Sequence, residues 1–175
     1  DKIRNDLVNF FNDSNKFALG VCNGCQMLSQ LKQIIPGTEH WPKFIRNTSN
    51  QFEARLSRVK INKTNSIFFK DMEGSILPVV VSHGEGKAIF SNNKFSKTAI
   101  INYVDENNKI SMKYPFNPNG SINGSNGFTN NDGRITILMP HPERLYEISQ
   151  YSYKSADWEI SPWMKFFINA REWLE

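Results

Sequence analysis

Residues 17–26 read Phe17-Ala18-Leu19-Gly20-Val21-Cys22-Asn23-Gly24-Cys25-Gln26, and the fold is decided here. The apolar run Phe17-Ala18-Leu19 is a buried strand ended by Gly20. From Asn23 onward Met27, Leu28 and Leu31 recur at helical spacing until Pro36-Gly37 stops them. Between strand and helix stands Gly20-Val21-Cys22-Asn23-Gly24, a G-x-C-x-G turn that is the cysteine form of a nucleophile elbow. So tight a turn leaves little space for side chains around the nucleophile, and Gly20 and Gly24 are expected where Cβ atoms would clash. The turn projects Cys22 from the carboxyl edge of the sheet and sets it at a helix N-terminus, where free amides favour thiolate. The amide of Asn23 is then a candidate oxyanion donor.

A nucleophilic cysteine needs a base, and the chain offers His40, His83 and His141. His141 follows the apolar run Ile135-Thr136-Ile137-Leu138-Met139 and lies in Pro140-His141-Pro142-Glu143. Pro142 biases His141 to extended backbone, where residues i and i+2 project to the same side, so Glu143 can reach the imidazole. Cys22, His141 and Glu143 make a Cys-His-Glu triad. Cys25 reads as a small buried hydrophobe and His40 as structural. Cys22 and Cys25 also spell C-x-x-C, the pattern of a redox pair or half a zinc site. The glycines are explained by an elbow and not by a redox pair, and no second cysteine pair completes four ligands, so no metal is expected. Asn119-Gly120-Ser121 lacks the G-K-[ST] ending of a phosphate loop. Asn47-Thr48-Ser49 matches N-x-[ST], which an Asn-rich chain produces by chance.

Outward from the elbow, Ile3, Leu7, Phe10 and Phe11 mark an amphipathic helix, and residues 12–16 a polar turn. Residues 52–61 alternate apolar and polar, 76–81 are β-branched, and 99–104 form another strand candidate. Residues 115–133, rich in Gly, Asn and Pro, read as loop. Ser161-Pro162 caps a last helix whose face is Trp163, Phe166, Phe167, Ala170 and Trp173. Helices interleaved with apolar strands argue for an α/β fold, a mostly parallel sheet with an antiparallel extension. The 175 residues suit one domain, and 39% hydrophobic with 22% charged residues excludes a disordered or fibrous chain. Lys+Arg 21 against Asp+Glu 17 gives 21 − 17 = +4, scattered along the chain, which argues against nucleic acid. Two cysteines do not make a disulfide scaffold, and no apolar run reaches the roughly 18 residues of a membrane span. A soluble protein of a reducing, cytoplasmic compartment is expected. The chain opens on Asp1 within a helical pattern, and the expectation is a piece of a longer chain.

Gly20-Val21-Cys22-Asn23-Gly24-Cys25-Gln26, followed far downstream by Met139-Pro140-His141-Pro142-Glu143-Arg144, resembles the class I (triad) glutamine amidotransferases. More narrowly, the chain resembles the C-terminal glutaminase domain of the large, single-chain form of phosphoribosylformylglycinamidine synthase. The likeness includes His40-Trp41-Pro42, the segment Asn47 to Arg55 with its Gln51-Phe52-Glu53-Ala54-Arg55, Ser82-His83-Gly84-Glu85-Gly86, the YPFNPNGS of residues 114–121, and Ser161-Pro162-Trp163-Met164 leading to Asn169-Ala170-Arg171. It implies the flavodoxin-like fold of that family, with 1–175 as one glutaminase domain at the C-terminal end of a longer chain. It implies attack by Cys22 on the side-chain amide of glutamine, His141 as proton shuttle and Glu143 as its orienter. Gln26 corresponds to a residue that contacts glutamine, and Gly84 and Glu85 lie where the α-amino and carboxylate groups are held through backbone atoms. Ammonia would pass to synthetase domains of the same parent chain, where ATP and Mg²⁺ act; no cofactor is expected in this chain. Residues 115–133 are a candidate contact surface for those domains.

In this family the second oxyanion donor comes from a Gly-rich turn upstream of the first helix seen here, as do the first sheet strands. The expectation is a poor glutaminase in isolation, since one lost oxyanion donor costs about 100- to 1,000-fold. A stand-alone small glutaminase, another elbow-cysteine hydrolase and a cysteine redox sensor remain the rival readings.

Overall fold

The computed structural model describes residues 2–175. Helix α1 (Lys2–Asn12) turns Phe11 into the core, with Leu7 and Phe10 half-buried beside it. Strand β1 (Ala18–Val21) and helix α2 (Asn23–Gln30) flank the elbow. The helix ends sooner than the apolar spacing suggests, the chain continuing from Leu31 to Gly37 as turns, and Met27 stays exposed. Then come β2 (Lys43–Ile45), β3 (Glu53–Ile61), β4 (Ile76–His83), β5 (Lys87–Ile89) and β6 (Ile101–Tyr103). The chain closes with β7 (Ser125–Thr129), β8 (Ile135–Leu138) and α3 (Pro162–Glu172).

Six strands form one mixed sheet in the order β1-β8-β7-β6-β3-β4, and β2 and β5 make a separate ribbon. β1 and β8 run parallel, Gly20 opposite Ile137, while the other sheet pairings are antiparallel. β7 and β8 are joined by residues 130–134 alone, too short for the crossover that parallel neighbours require, whereas β3 and β4 pair antiparallel across the longer stretch 62–75.

The β8 run divides the interior. Ile135, Ile137 and Met139 face α1 and α2 with Cys25, Leu28 and Phe128, whereas Leu138 faces the opposite layer with Val59, Ile61 and the α3 aromatics Trp163 and Phe166. Full burial of a side chain this large contributes about 2–3 kcal/mol. Ser161 caps α3 by accepting from the Trp163 amide (3.2 Å), and Trp163 Nε1 donates to the Pro78 carbonyl (2.7 Å), so the terminal helix docks where its apolar face predicts.

The reading of 115–133 as surface loop is corrected. Residues 125–129 are the wholly buried strand β7, and Asn117, Asn119 and Ser121 before it are buried as well. Ser-Asn-Gly-Phe-Thr carries little β-propensity, yet its side-chain donors find acceptors inside: Ser125 Oγ donates to Ile122 O (2.8 Å) and Asn126 Nδ2 to Gly124 O (3.0 Å).

Candidate active site

The elbow is formed as the sequence predicts. Cys22 has φ 52° and ψ −106°, a conformation that residues with a Cβ seldom adopt, and its amide donates to Leu138 O at 2.8 Å as the last rung of the parallel ladder. Gly20 is sterically required: a Cβ there would lie 2.7 Å from Gly24 O and 2.8 Å from Leu28 Cδ1. The companion expectation for Gly24 is corrected, because a Cβ there meets nothing within 4 Å. The close approach is of residue 20 onto the backbone of residue 24, so one glycine suffices.

Cys22 immediately precedes α2, whose first free backbone donor is Asn23 N–H. That amide is where the oxyanion donor is expected. The Cys22 thiol, half-buried, points at Ser82 O (3.6 Å) at the end of β4. Cys25 is wholly buried three residues on, and burial pushes its thiol pKa up, the neighbouring Cys22 adding to the effect.

His141 extends β8 past Pro140, and its amide donates to Val80 O (2.8 Å), pairing it with the outer edge of β4. Its Nδ1 lies 2.6 Å from Glu143 Oε1. Burial alone would lower the proton affinity of the ring, but interactions with Cys22 and Glu143 outweigh it and raise the pKa from 6.5 to about 9. Nε2 is buried and accepts no conventional hydrogen bond, and Cys22 is close enough to the ring to raise its proton affinity. Burial opposes ionisation of Glu143, but its bond to His141, its own backbone amide and the nearby Arg144 hold the carboxyl below the usual range. The i, i+2 projection inferred from Pro142 is thus observed, and Cys22, His141 and Glu143 come together.

Gln26, one turn into α2, donates from Nε2 to Glu85 O (2.7 Å), bracing the elbow helix against residues 82–86. In that turn Gly84 is half-buried and the Glu85 side chain is exposed. The amides of Gly84 and Glu85 donate to no group among the described residues. His83 is buried, and burial together with the facing His141 lowers its pKa to about 4, so it is neutral where His141 is charged. Its ring lies on Gly86, where a Cβ would sit 2.1 Å from His83 Nε2. His40, half-buried, is within 3.0 Å of Thr129 O, a structural contact away from the triad.

The sequence reading assigned no role to the residues that pin this turn. Asn47, 1% exposed, donates from Nδ2 to His83 O (2.8 Å), accepts from Gly86 N (2.8 Å) at Oδ1, and donates from its own amide to Gly84 O (2.9 Å). Asn119, fully buried, donates to Gly86 O (2.8 Å). Both stand in the segments that carry the family resemblance, which was the available signal. Among the described residues no three His, Cys, Asp or Glu side chains are grouped to hold a metal ion, and no helix is long and apolar enough to cross a membrane.

A cysteine on a strained strand-to-helix turn, an imidazole that interacts with it and a carboxylate behind that imidazole form an arrangement able to support thiol-dependent acyl transfer on an α/β scaffold. The sequence model of the CobB/CobQ-like glutamine amidotransferase domain matches residues 1–174, and the chain belongs to that family. Its fold is the mixed sheet of class I glutamine amidotransferases. Among solved structures it is similar to PurLQS from Thermotoga maritima, with TM-score 0.73 and 21% identity over 100% of this chain and 69% of that one. It is also similar to a candidate GMP synthase component from Thermoplasma acidophilum, with TM-score 0.52 and 11% identity over 99% of this chain and 64% of that one.

Proposed function

We propose that this chain hydrolyses glutamine to glutamate and ammonia through a thioester on Cys22. The observation that carries the reading is His141 fixed at 2.6 Å by Glu143 through Nδ1, with its buried Nε2 unused by any other group and Cys22 acting on the same ring. The Cys22–His141 pair shares one proton, which the ring holds at Nε2 as Sγ attacks the side-chain amide carbon, and the Asn23 amide stabilises the resulting oxyanion. The C–N bond breaks, His141 returns the proton to the leaving nitrogen, and ammonia departs. Water, deprotonated by the same nitrogen, then cleaves the thioester to glutamate. Glu143 holds the tautomer and stabilises the imidazolium. The unpartnered amides of Gly84 and Glu85 suit the α-carboxylate, Ser82 O suits the α-ammonium, and Gln26 lines the site between them.

The ammonia feeds a ligase. The motifs that resemble large-type phosphoribosylformylglycinamidine synthase run through most of the chain and include the docked Ser161-Pro162-Trp163 tail. They support its reading as the C-terminal glutaminase domain of that cytoplasmic enzyme of purine biosynthesis, with a further oxyanion donor supplied by the parent chain. ATP and Mg²⁺ belong to the synthetase domains, and no residue of this chain is assigned to either.

Treatment of the full-length protein with a glutamine-shaped chloroketone, followed by peptide mass spectrometry, tests the reading. Labelling confined to Cys22 and blocked by glutamine is expected; labelling at Cys25, or indifference to glutamine, refutes it.

A further inference from the structure

The segments around Asn47 and Asn119 both bond to the turn at residues 82–86. Four successive carbonyls of the turn are occupied: His83 O by Asn47 Nδ2, Gly84 O by the Asn47 amide, Glu85 O by Gln26, and Gly86 O by Asn119. The Gly86 amide is consumed too, by Asn47 Oδ1. What remains is a pair of adjacent N–H groups, Gly84 and Glu85, with their own acceptors turned away. A turn so emptied of acceptors has only donors to offer, and its complement is an anionic oxygen pair.

The two asparagines are themselves saturated, which fixes their amide orientation. Asn119 Oδ1 accepts from the amide (3.0 Å) and hydroxyl (2.7 Å) of Ser121, so its Nδ2 is turned to Gly86 O. Asn47 Nδ2 is further bonded to Gln51 O (3.1 Å), and the Thr48 amide donates to Asn119 O (3.1 Å), tying the two supports together. Buried side-chain amides without a free valence are expensive to misplace, so the clamp holds one geometry.

We propose that Asn47 and Asn119 are positioning residues that hold residues 83–86 in the donor-only conformation recognising the α-carboxylate of the amino-acid substrate. The inference rests on the glutaminase reading above and adds to it the residues that determine substrate affinity. Neither asparagine touches the reacting atoms, so the clamp governs binding of the amino-acid end and leaves the thiol chemistry alone. Interactions made equally in ground and transition states appear in KM and not in kcat.

The test compares the full-length protein with its Asn119→Ala and Asn47→Ala variants. Two quantities are measured: the steady-state constants for glutamine, and the rate of Cys22 alkylation by iodoacetamide, a neutral reagent without an amino-acid end. A rise in KM of tenfold or more, with kcat and iodoacetamide reactivity within twofold of wild type, is the expected result. Asn119→Ser, which retains a hydroxyl donor for Gly86 O, restores part of the affinity and serves where the alanine variant does not fold. An unchanged KM overturns the inference. So does a joint fall of kcat, alkylation rate and thermal midpoint, which would make the asparagines general structural supports. A wild type that neither hydrolyses glutamine nor is protected by it refutes the glutaminase reading, and this inference with it.

Discussion

Two segments lie side by side at the active end of the sheet, residues 138–144 and residues 80–86, joined where the His141 amide meets Val80 O. Each delivers a buried histidine, His141 at 6% exposure and His83 at 3%, and their proton affinities diverge, to about 9 and about 4. Burial disfavours the charged ring in both. The difference is the neighbour: Glu143 stands 2.6 Å from one ring, whereas the other has the Asn119 amide nitrogen at 3.4 Å and the glycine at 86 beneath it. Partner chemistry, with Cys22 and Glu143 acting on His141 alone, and not depth, therefore decides which imidazole holds its proton. The neutral His83 leaves a single imidazolium in the site, so charge is not shared between two rings.

The contrast can be broken at several points. Cys22→Ala and His141→Ala remove the chemistry itself, and glutamine hydrolysis is expected to fall by about 10⁴-fold or more in a coupled glutamate assay. If His83→Ala had the same effect while His141→Ala retained activity, the assignment of the two rings would be reversed. Glu143→Gln keeps the shape and removes the charge. Turnover should drop by about 10- to 100-fold, less than for a fully buried partner because Glu143 is partly exposed, and the His141 pKa should move down, as read by NMR titration of its ring. An unmoved pKa would remove Glu143 from the triad.

A smaller effect tests the elbow. Gly20→Ala drives a Cβ into the Gly24 backbone and is expected to destabilise the fold by about 2–3 kcal/mol, whereas Gly24→Ala should stay within about 0.5 kcal/mol of wild type. Equal losses in denaturant unfolding would restore the symmetric reading of the motif. The mildest signature lies in pH. The folded His141 binds its proton more tightly than an unfolded histidine, so its contribution is present below pH 6.5 and is lost as pH rises through about 9. The folded His83 binds its proton more weakly, so stability falls as pH drops from about 6.5 towards 4. Thermal midpoints should thus be highest near pH 6.5; His83→Gln should flatten the acid limb and Glu143→Gln the alkaline one. Curves that do not respond to these substitutions would detach the limbs from the two histidines.

The strand-elbow-helix unit, the triad and the docked terminal helix were legible because each rests on residues close in sequence: glycine spacing, a proline after the base, a Ser-Pro cap. The strand β7 was not, since Ser125-Asn126-Gly127-Phe128-Thr129 carries turn-forming residues that only tertiary hydrogen bonds make acceptable in a sheet. The clamp of Asn47 and Asn119 on residues 82–86 joins positions 36 and 33 residues apart, and periodicity carries no record of such distant side-chain bonds. Family likeness marked those segments without stating what they do.

The backbone at Cys22 has a longer-term consequence. With φ 52° and ψ −106°, position 22 suits glycine better than any residue with a Cβ, and a strained residue of this kind costs of order 1–3 kcal/mol. Cys22→Gly should therefore give an inactive protein that is more stable than its parent. On the proposed function, loss of the thiol at this position is downhill in folding free energy, so mutational drift towards stability alone would discard it, and a cysteine kept there is held by its chemistry against the preference of the scaffold.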